Sequence, residues 1–181
     1  TPAYKIASFE LTDLKLIEYI AKKNKPILIS TGMGSLEEIE EALTVIKNFS
    51  NNDVLLFHCI SSYPTPVADS NLTNIKILKE KFKVQVGLSD HTLTSLASCV
   101  AIGLGAVAIE KHFKLDNIDC GPDSSFSLDQ EGLKNLVNET KKAWLAKGRN
   151  KFSRQESEKK NIIFRRSLYF IKNLKQGDEI K

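Results

Sequence analysis

Residues 26–48 read PILISTGMGSLEEIEEALTVIKN. Pro26–Ser30 carries apolar side chains at successive positions, so neither of its faces is built for water, as in a strand covered on both sides. The chain then turns polar at Ser30-Thr31, passes Gly32 and Gly34, and resumes as Leu36–Asn48. There Ile39, Leu43 and Ile46 recur at helical spacing. Ser35, with Glu38 three residues on, forms a capping box that fixes where the helix starts. A buried strand, a polar turn and an amphipathic helix make one βα unit.

The same unit recurs on either side. Tyr4–Ser8 leads to Asp13–Lys23, Asp53–Ser61 to Asn71–Phe82, Val84–Asp90 to Leu93–Gly103, and Ala106–Phe113 through a long loop to Gln130–Ala146. Intervals of roughly 22–30 residues suit βαβ crossovers and a parallel sheet. An open doubly wound sheet and part of a barrel both satisfy this spacing. No GxGxxG or GxxxxGK[ST] follows the first strand, so nucleotide-binding signatures are absent. Polar residues instead gather at every strand's C-terminal end: Ser8, Ser30-Thr31, Ser61-Ser62, Ser89-Asp90-His91 and Glu110-Lys111-His112. Barrel enzymes build their sites on that rim. The expected fold is therefore α/β, with residues 1–146 forming about five βα units from the C-terminal portion of a TIM (β/α)8 barrel. Five units cannot close an eight-stranded barrel.

After Ala146 the pattern breaks. Residues 147–164 read as a charged linker, and residues 165–181 as the first strand and turn of a second domain. The whole chain has 181 residues and a formal charge of +4, but residues 147–181 hold 11 Lys+Arg against 4 Asp+Glu. Without aromatic interleaving or a binding motif, that basic tail reads as a solvated linker, and no nucleic-acid partner is expected. No run of 18 apolar residues offers a membrane span. The start lacks a leader pattern and a Met and enters a strand at once, which reads as a piece of a longer chain. Three scattered cysteines (Cys59, Cys99, Cys120) argue against a disulfide framework and for a cytoplasmic location.

Three constellations carry chemistry. His91 and His112 fall at strand ends one βα unit apart, close enough to share a divalent metal, although two hydrogen-bonded rim histidines would give the same spacing. His58, in mid-strand, reads as a satisfied core or barrel-lining histidine. Lys5, Ser8, Ser30, Thr31, Ser61 and Ser89 supply one cation and several hydroxyls, the kit for a phosphate or carboxylate. Singly, each serine also reads as a helix cap. Glu110 shares a strand face with His112 by the period of two. Asp123 sits in Gly121-Pro122-Asp123, where it either forms a turn or moves protons.

These stretches resemble the sialic-acid (nonulosonate) synthase family. The matches are Lys5-Ile6-Ala7-Ser8, Ser30-Thr31-Gly32-Met33, Ser61-Ser62-Tyr63-Pro64, Gly87–Thr92, Ile109–Phe113 and Gly121-Pro122-Asp123. Arg165–Leu168 is similar to the opening of that family's antifreeze-like (SAF) domain. The resemblance implies condensation of phosphoenolpyruvate with an amino-sugar aldose, giving a nine-carbon 2-keto acid and phosphate. It implies a divalent metal, Mn²⁺ with Mg²⁺ or Co²⁺ as alternatives, on His91 and His112. Lys5, Ser8, Ser30 and Ser89 fall on its phosphoenolpyruvate positions, with Ser61 and Tyr63 near the sugar or carboxylate. Glu110 matches the carboxylate beside the reacting carbons, and Asp123 the one that contacts the sugar. Lys5–Glu10 and Gly121–Leu128 look like the pseudaminic-acid branch, which takes a 2,4-diacetamido-2,4,6-trideoxyhexose; N-acetylneuraminate and legionaminate synthases are the alternatives. A homodimer is implied for the full-length enzyme. The family's first strands are absent from this sequence, so a non-catalytic half-barrel that acts only in association is the competing reading.

Overall fold

The computed structural model of the chain describes residues 1–51, 53–115, 121–149 and 151–180. Five strands form one parallel sheet in chain order: β1 (Tyr4–Ile6), β2 (Ile27–Ser30), β3 (Val54–Cys59), β4 (Gln85–Asp90) and β5 (Ile109–Lys111). Between and after them run α1 (Leu14–Ala21), α2 (Leu36–Lys47), α3 (Asn74–Phe82), α4 (Leu96–Leu104) and α5 (Gln130–Lys147). The strand order follows the chain without reversal, which is the winding of a barrel and not of a doubly wound sheet.

Side-chain parity sorts the sheet into two faces. Ile6, Ile27, Ile29, Leu56, Val86 and Leu88 point at the helices and pack with Ile17, Ile39, Leu43, Ile46, Ile75 and Ala101 in one buried core. The register places Lys5 beside Leu28, Ser30 beside Phe57, Cys59 beside Ser89 and Ser89 beside Glu110 on the other face. That face is concave. β1 and β5 are the two edges of the sheet, yet Lys5 Nζ on β1 lies 3.6 Å from Glu110 Oε2 on β5. A flat five-stranded sheet would hold its edge strands nearly 20 Å apart. The sheet is therefore curled as an incomplete barrel. Gly87 permits the curl to fill, since a Cβ there would stand 2.7 Å from both the Phe57 ring and the Ala108 carbonyl.

Helix starts follow the sequence closely. Ser35 accepts from Glu38 N at 3.2 Å and the Glu38 carboxylate accepts from Ser35 N at 2.7 Å, completing the capping box. Asp13 and Asp129 cap α1 and α5 by accepting from Leu16 N and Gly132 N. Several elements are shorter than expected, the fourth helix and the fifth strand among them. The fourth helix begins at Leu96 and not Leu93, because Asp90 accepts from Thr92 N and Thr92 Oγ1 donates to Thr94 O, making a turn of those residues. The fifth strand is Ile109–Lys111 and not Ala106–Phe113, because the Ala106 N–H closes α4 on Ala101 O and Phe113 bridges to Leu128.

The chain divides into Thr1–Gly148 and Arg149–Lys181. Within the second unit Glu156–Phe164 forms a run of 3₁₀ helix. Ser167–Ile171, expected as a strand, has no regular structure, and Leu168 and Ile171 are almost wholly exposed. A lone strand leaves its backbone groups unpaired, and no described strand offers this one a partner. Among the described residues no helix is long and apolar enough to cross a membrane. Cys59 and Cys99 are free thiols; Cys120 lies outside the described residues.

Candidate active site

The concave face ends, at the C-terminal rim, in a connected polar network. Lys5 Nζ donates to Ser30 Oγ at 2.8 Å and pairs with Glu110 Oε2. Glu110 Oε1 in turn accepts from Ser89 Oγ at 2.8 Å. Residues from β1, β2, β4 and β5 thus meet around one cation and one carboxylate. Ser8 follows β1 in a 3₁₀ turn, accepts from Gly32 N at 3.0 Å and donates to Cys59 Sγ at 3.4 Å. The loop after β2 can come this close only as glycine: a Cβ on Gly32 would stand 2.3 Å from Ser61 Oγ and 2.7 Å from Ser8 Oγ. Among the described residues Ser61 Oγ is buried with no hydrogen-bond partner, an unmet polar atom aimed at the same corner. Thr31 does not join this set. Its hydroxyl and its N–H both donate to the Phe57 carbonyl, a structural tie.

Beyond Glu110 the rim becomes aromatic. The His91 and His112 rings lie edge to face with centroids 5.3 Å apart, and Tyr63 packs against His91 at 4.2 Å. Phe126, nearly buried, touches Tyr63 at 5.3 Å and His112 at 5.0 Å. His91 Nδ1 is within 2.8 Å of the Ile60 carbonyl, which assigns its proton there and leaves the lone pair on Nε2, 3.5 Å from Ser89 Oγ. His112 Nδ1 faces Asp123 Oδ2 at 3.5 Å, leaving its Nε2 likewise. An imidazole held by an oxygen on one nitrogen and open on the other is the arrangement of metal-binding histidines.

Two residues of this corner carry shifted titrations. Burial alone would hold the His91 imidazole down, but the Cys59 sulfur and the Ile60 carbonyl outweigh it and push its pKa above the ordinary histidine value. Burial would likewise raise the Cys59 thiol, and the contacts with His91 and Ser8 bring it below its ordinary value instead. His58, by contrast, points to the helix side, is buried, and bonds through Nε2 to the Ser70 carbonyl at 2.8 Å. Of the two readings its mid-strand place allowed, it is the core histidine and does not line the barrel.

The NeuB family pattern matches residues 1–152. This chain belongs to the NeuB family. It is 45% identical, over 97% of its length, to the pseudaminic acid synthase of Campylobacter jejuni subsp. jejuni serotype O:23/36, of which it covers 51%. It is 44% identical to the N,N'-diacetyllegionaminic acid synthase of Campylobacter jejuni serotype O:2, over 97% of this chain and 53% of that one. The crystal structure of the N-acetylneuraminic acid synthetase of Leptospira borgpetersenii, in complex with citrate, superposes with a TM-score of 0.84 at 34% identity, covering 93% of this chain and 59% of that one. The NeuB-family chain spans about half the length of the curated relatives it matches.

Of the eleven residues named from the sequence, all but Thr31 stand on one rim of this NeuB-family fold, with Ser61 placed there by its approach to Gly32. Cys59 escaped the sequence reading although its parity with Phe57 and Ser61 marks it as inward-facing. Phe126 escaped for a different reason: it reaches the rim from a loop, where spacing carries no signal. Among the described residues no group of three or more His, Cys, Asp or Glu stands ready for a metal. His91 and His112 fit a divalent ion as two of its ligands, with the remaining positions falling to oxygens from outside this set.

Proposed function

We propose that the full-length protein condenses phosphoenolpyruvate with a 2,4-diacetamido-2,4,6-trideoxyhexose, giving a nine-carbon nonulosonic acid and phosphate. The observation that carries the reading is the Lys5–Ser30 and Lys5–Glu110–Ser89 network, set beside two imidazoles each held by an oxygen at Nδ1. A dianionic phosphate needs a cation and hydroxyls, and Lys5, Ser30, Ser89, Ser8 and the unmet hydroxyl of Ser61 provide them. His91 and His112 would hold a divalent ion, Mn²⁺ in this reading, which would supply Lewis-acid polarisation of the sugar aldehyde. C3 of phosphoenolpyruvate attacks the aldehyde carbon, and the carbonyl oxygen takes up a proton. Water adds to the cationic C2, its proton passing to Glu110, whose carboxylate Lys5 and Ser89 hold in place. Collapse of the tetrahedral carbon breaks the C–O bond to phosphate and leaves the ketone. Asp123, beside His112, faces the sugar hydroxyls.

Relatives of the pseudaminic and legionaminic branches are nearly equally identical to this chain. The sugar assignment is supported instead by Phe126, whose ring closes over Tyr63 and His112 and offers an apolar wall to a deoxygenated sugar carbon. We further assign residues 165–181 to the opening of a SAF domain after a linker over 147–164, and a homodimer in the cytoplasm to the full-length enzyme.

Phosphate release is expected from phosphoenolpyruvate with the trideoxy sugar in the presence of Mn²⁺. His91→Ala and His112→Ala are expected to stay folded by circular dichroism and to lose Mn²⁺ binding by calorimetry. Unchanged Mn²⁺ affinity in both would remove the metal assignment, and faster turnover of a 6-hydroxylated 2-acetamido sugar would remove the sugar assignment.

A further inference from the structure

We infer that the buried Asp90–Lys111 ion pair is the positioning element that sets His91 and His112 opposite one another. The inference rests on the reading of those histidines as a metal half-site. Asp90 and Lys111 are the last paired residues of the β4–β5 ladder, and each is followed at once by one of the histidines. By the period of two, their side chains point to the helix side while the residues before and after them face the rim. Lys111 Nζ lies 3.1 Å from Asp90 Oδ2, with the two side chains only 3% and 1% exposed. It is the one ion pair among the described residues with both partners buried. A well-packed apolar pair would serve stability as well or better, so burying two charges here calls for another reason.

Their hydrogen bonds supply it. Asp90 Oδ1 accepts from Thr92 N at 2.8 Å, and Oδ2 accepts from Ser98 Oγ on α4 at 2.6 Å. Lys111 Nζ donates to the Thr92 carbonyl. The carboxylate therefore clamps the turn on the far side of His91 to both β4 and α4, and the lysine clamps the root of His112 to the same turn. The backbone at the root of each imidazole therefore cannot shift without breaking a buried charge-assisted bond, and the His91 ring is further fixed by its Nδ1 on Ile60 O. Asp90 and Lys111 touch neither substrate nor metal; they act through the histidines.

The test is the double variant Asp90→Asn/Lys111→Met in the full-length protein. It removes both charges together and keeps an acceptor for Thr92 N. It is expected to unfold cooperatively near the native midpoint, to bind Mn²⁺ about 10- to 100-fold more weakly by calorimetry, and to lose the His91–His112 ring-to-ring nuclear Overhauser contact in the metal-free protein. A folded double variant with native Mn²⁺ affinity and the ring contact intact would overturn the inference. Should the double variant not fold, Ser98→Ala decides, because it frees the carboxylate from α4 while keeping both charges. A several-fold loss of Mn²⁺ affinity supports the inference, and an unchanged affinity overturns it. If His91→Ala and His112→Ala both leave Mn²⁺ binding intact, the metal reading is at fault, and the metal-free ring contact still decides the positioning role.

Discussion

At the scale of single residues, Lys5 does more than its edge position suggests. It is one-third exposed, so its pairing with the equally accessible Glu110 contributes little to stability, at most about 1 kcal/mol. Its value lies in being a cation that is only partly neutralised, facing a ring of hydroxyls. Lys5→Ala in the full-length protein is expected to raise the KM for phosphoenolpyruvate and to leave that for the sugar nearly unchanged. Loss of one charge-assisted hydrogen bond corresponds to roughly 1.5–3 kcal/mol, or on the order of ten- to a hundredfold. Steady-state kinetics with each substrate varied in turn checks this; equal effects on both would place Lys5 elsewhere in the reaction.

At the scale of elements, β3 is held to the segment before α3 by His58. Its Nε2 bonds to the Ser70 carbonyl, and burial pushes the imidazole pKa below the ordinary histidine value, with the Ser70 contact opposing only in part. Above about pH 6.5 the ring is neutral folded or unfolded, and it adds no pH dependence. As the pH falls below that value the unfolded chain takes up a proton that the folded chain resists, so stability declines with acidity. His58→Gln is expected to reduce this acid-side slope, measured as the denaturant midpoint between about pH 7 and 5. The same slope in both proteins would show that His58 titrates normally. The strand carrying it was legible from its composition. That Ser70 would answer its imidazole was not, because the partner lies across a loop with no periodicity.

At the scale of the whole molecule, the curl of the sheet leaves β1 and β5 each paired on one side only. Ile6, which its edge strand would seem to expose, is wholly buried against the helices; the apolar flank open to water is Val107 with Val137 and Trp144 of α5. Unpaired strand edges beside apolar side chains recruit further strands. The 181-residue chain by itself is therefore expected to self-associate and to release no phosphate from phosphoenolpyruvate. Light scattering together with a phosphate assay checks both, and a monodisperse, active monomer would overturn the expectation.

The sequence by itself determined the elements, their parallel order and the rim that bears the chemistry, because two-sided apolar strands, capping pairs and strand-end polar residues are local patterns. It also brought Lys5, Ser30, Ser89, Glu110 and the two histidines onto one list, through spacing and family resemblance together. Only the tertiary structure decided that the sheet curls far enough for Lys5 to meet Glu110 across the full width of five strands. It likewise decided that Asp90 and Lys111 bury their charges against each other, that Cys59 sits under His91, and that Phe126 closes the aromatic corner. Each of these depends on distances between segments 14 to more than 100 residues apart. Such distances are set by the sheet's curvature and by loop closure, and neither leaves a period in the chain.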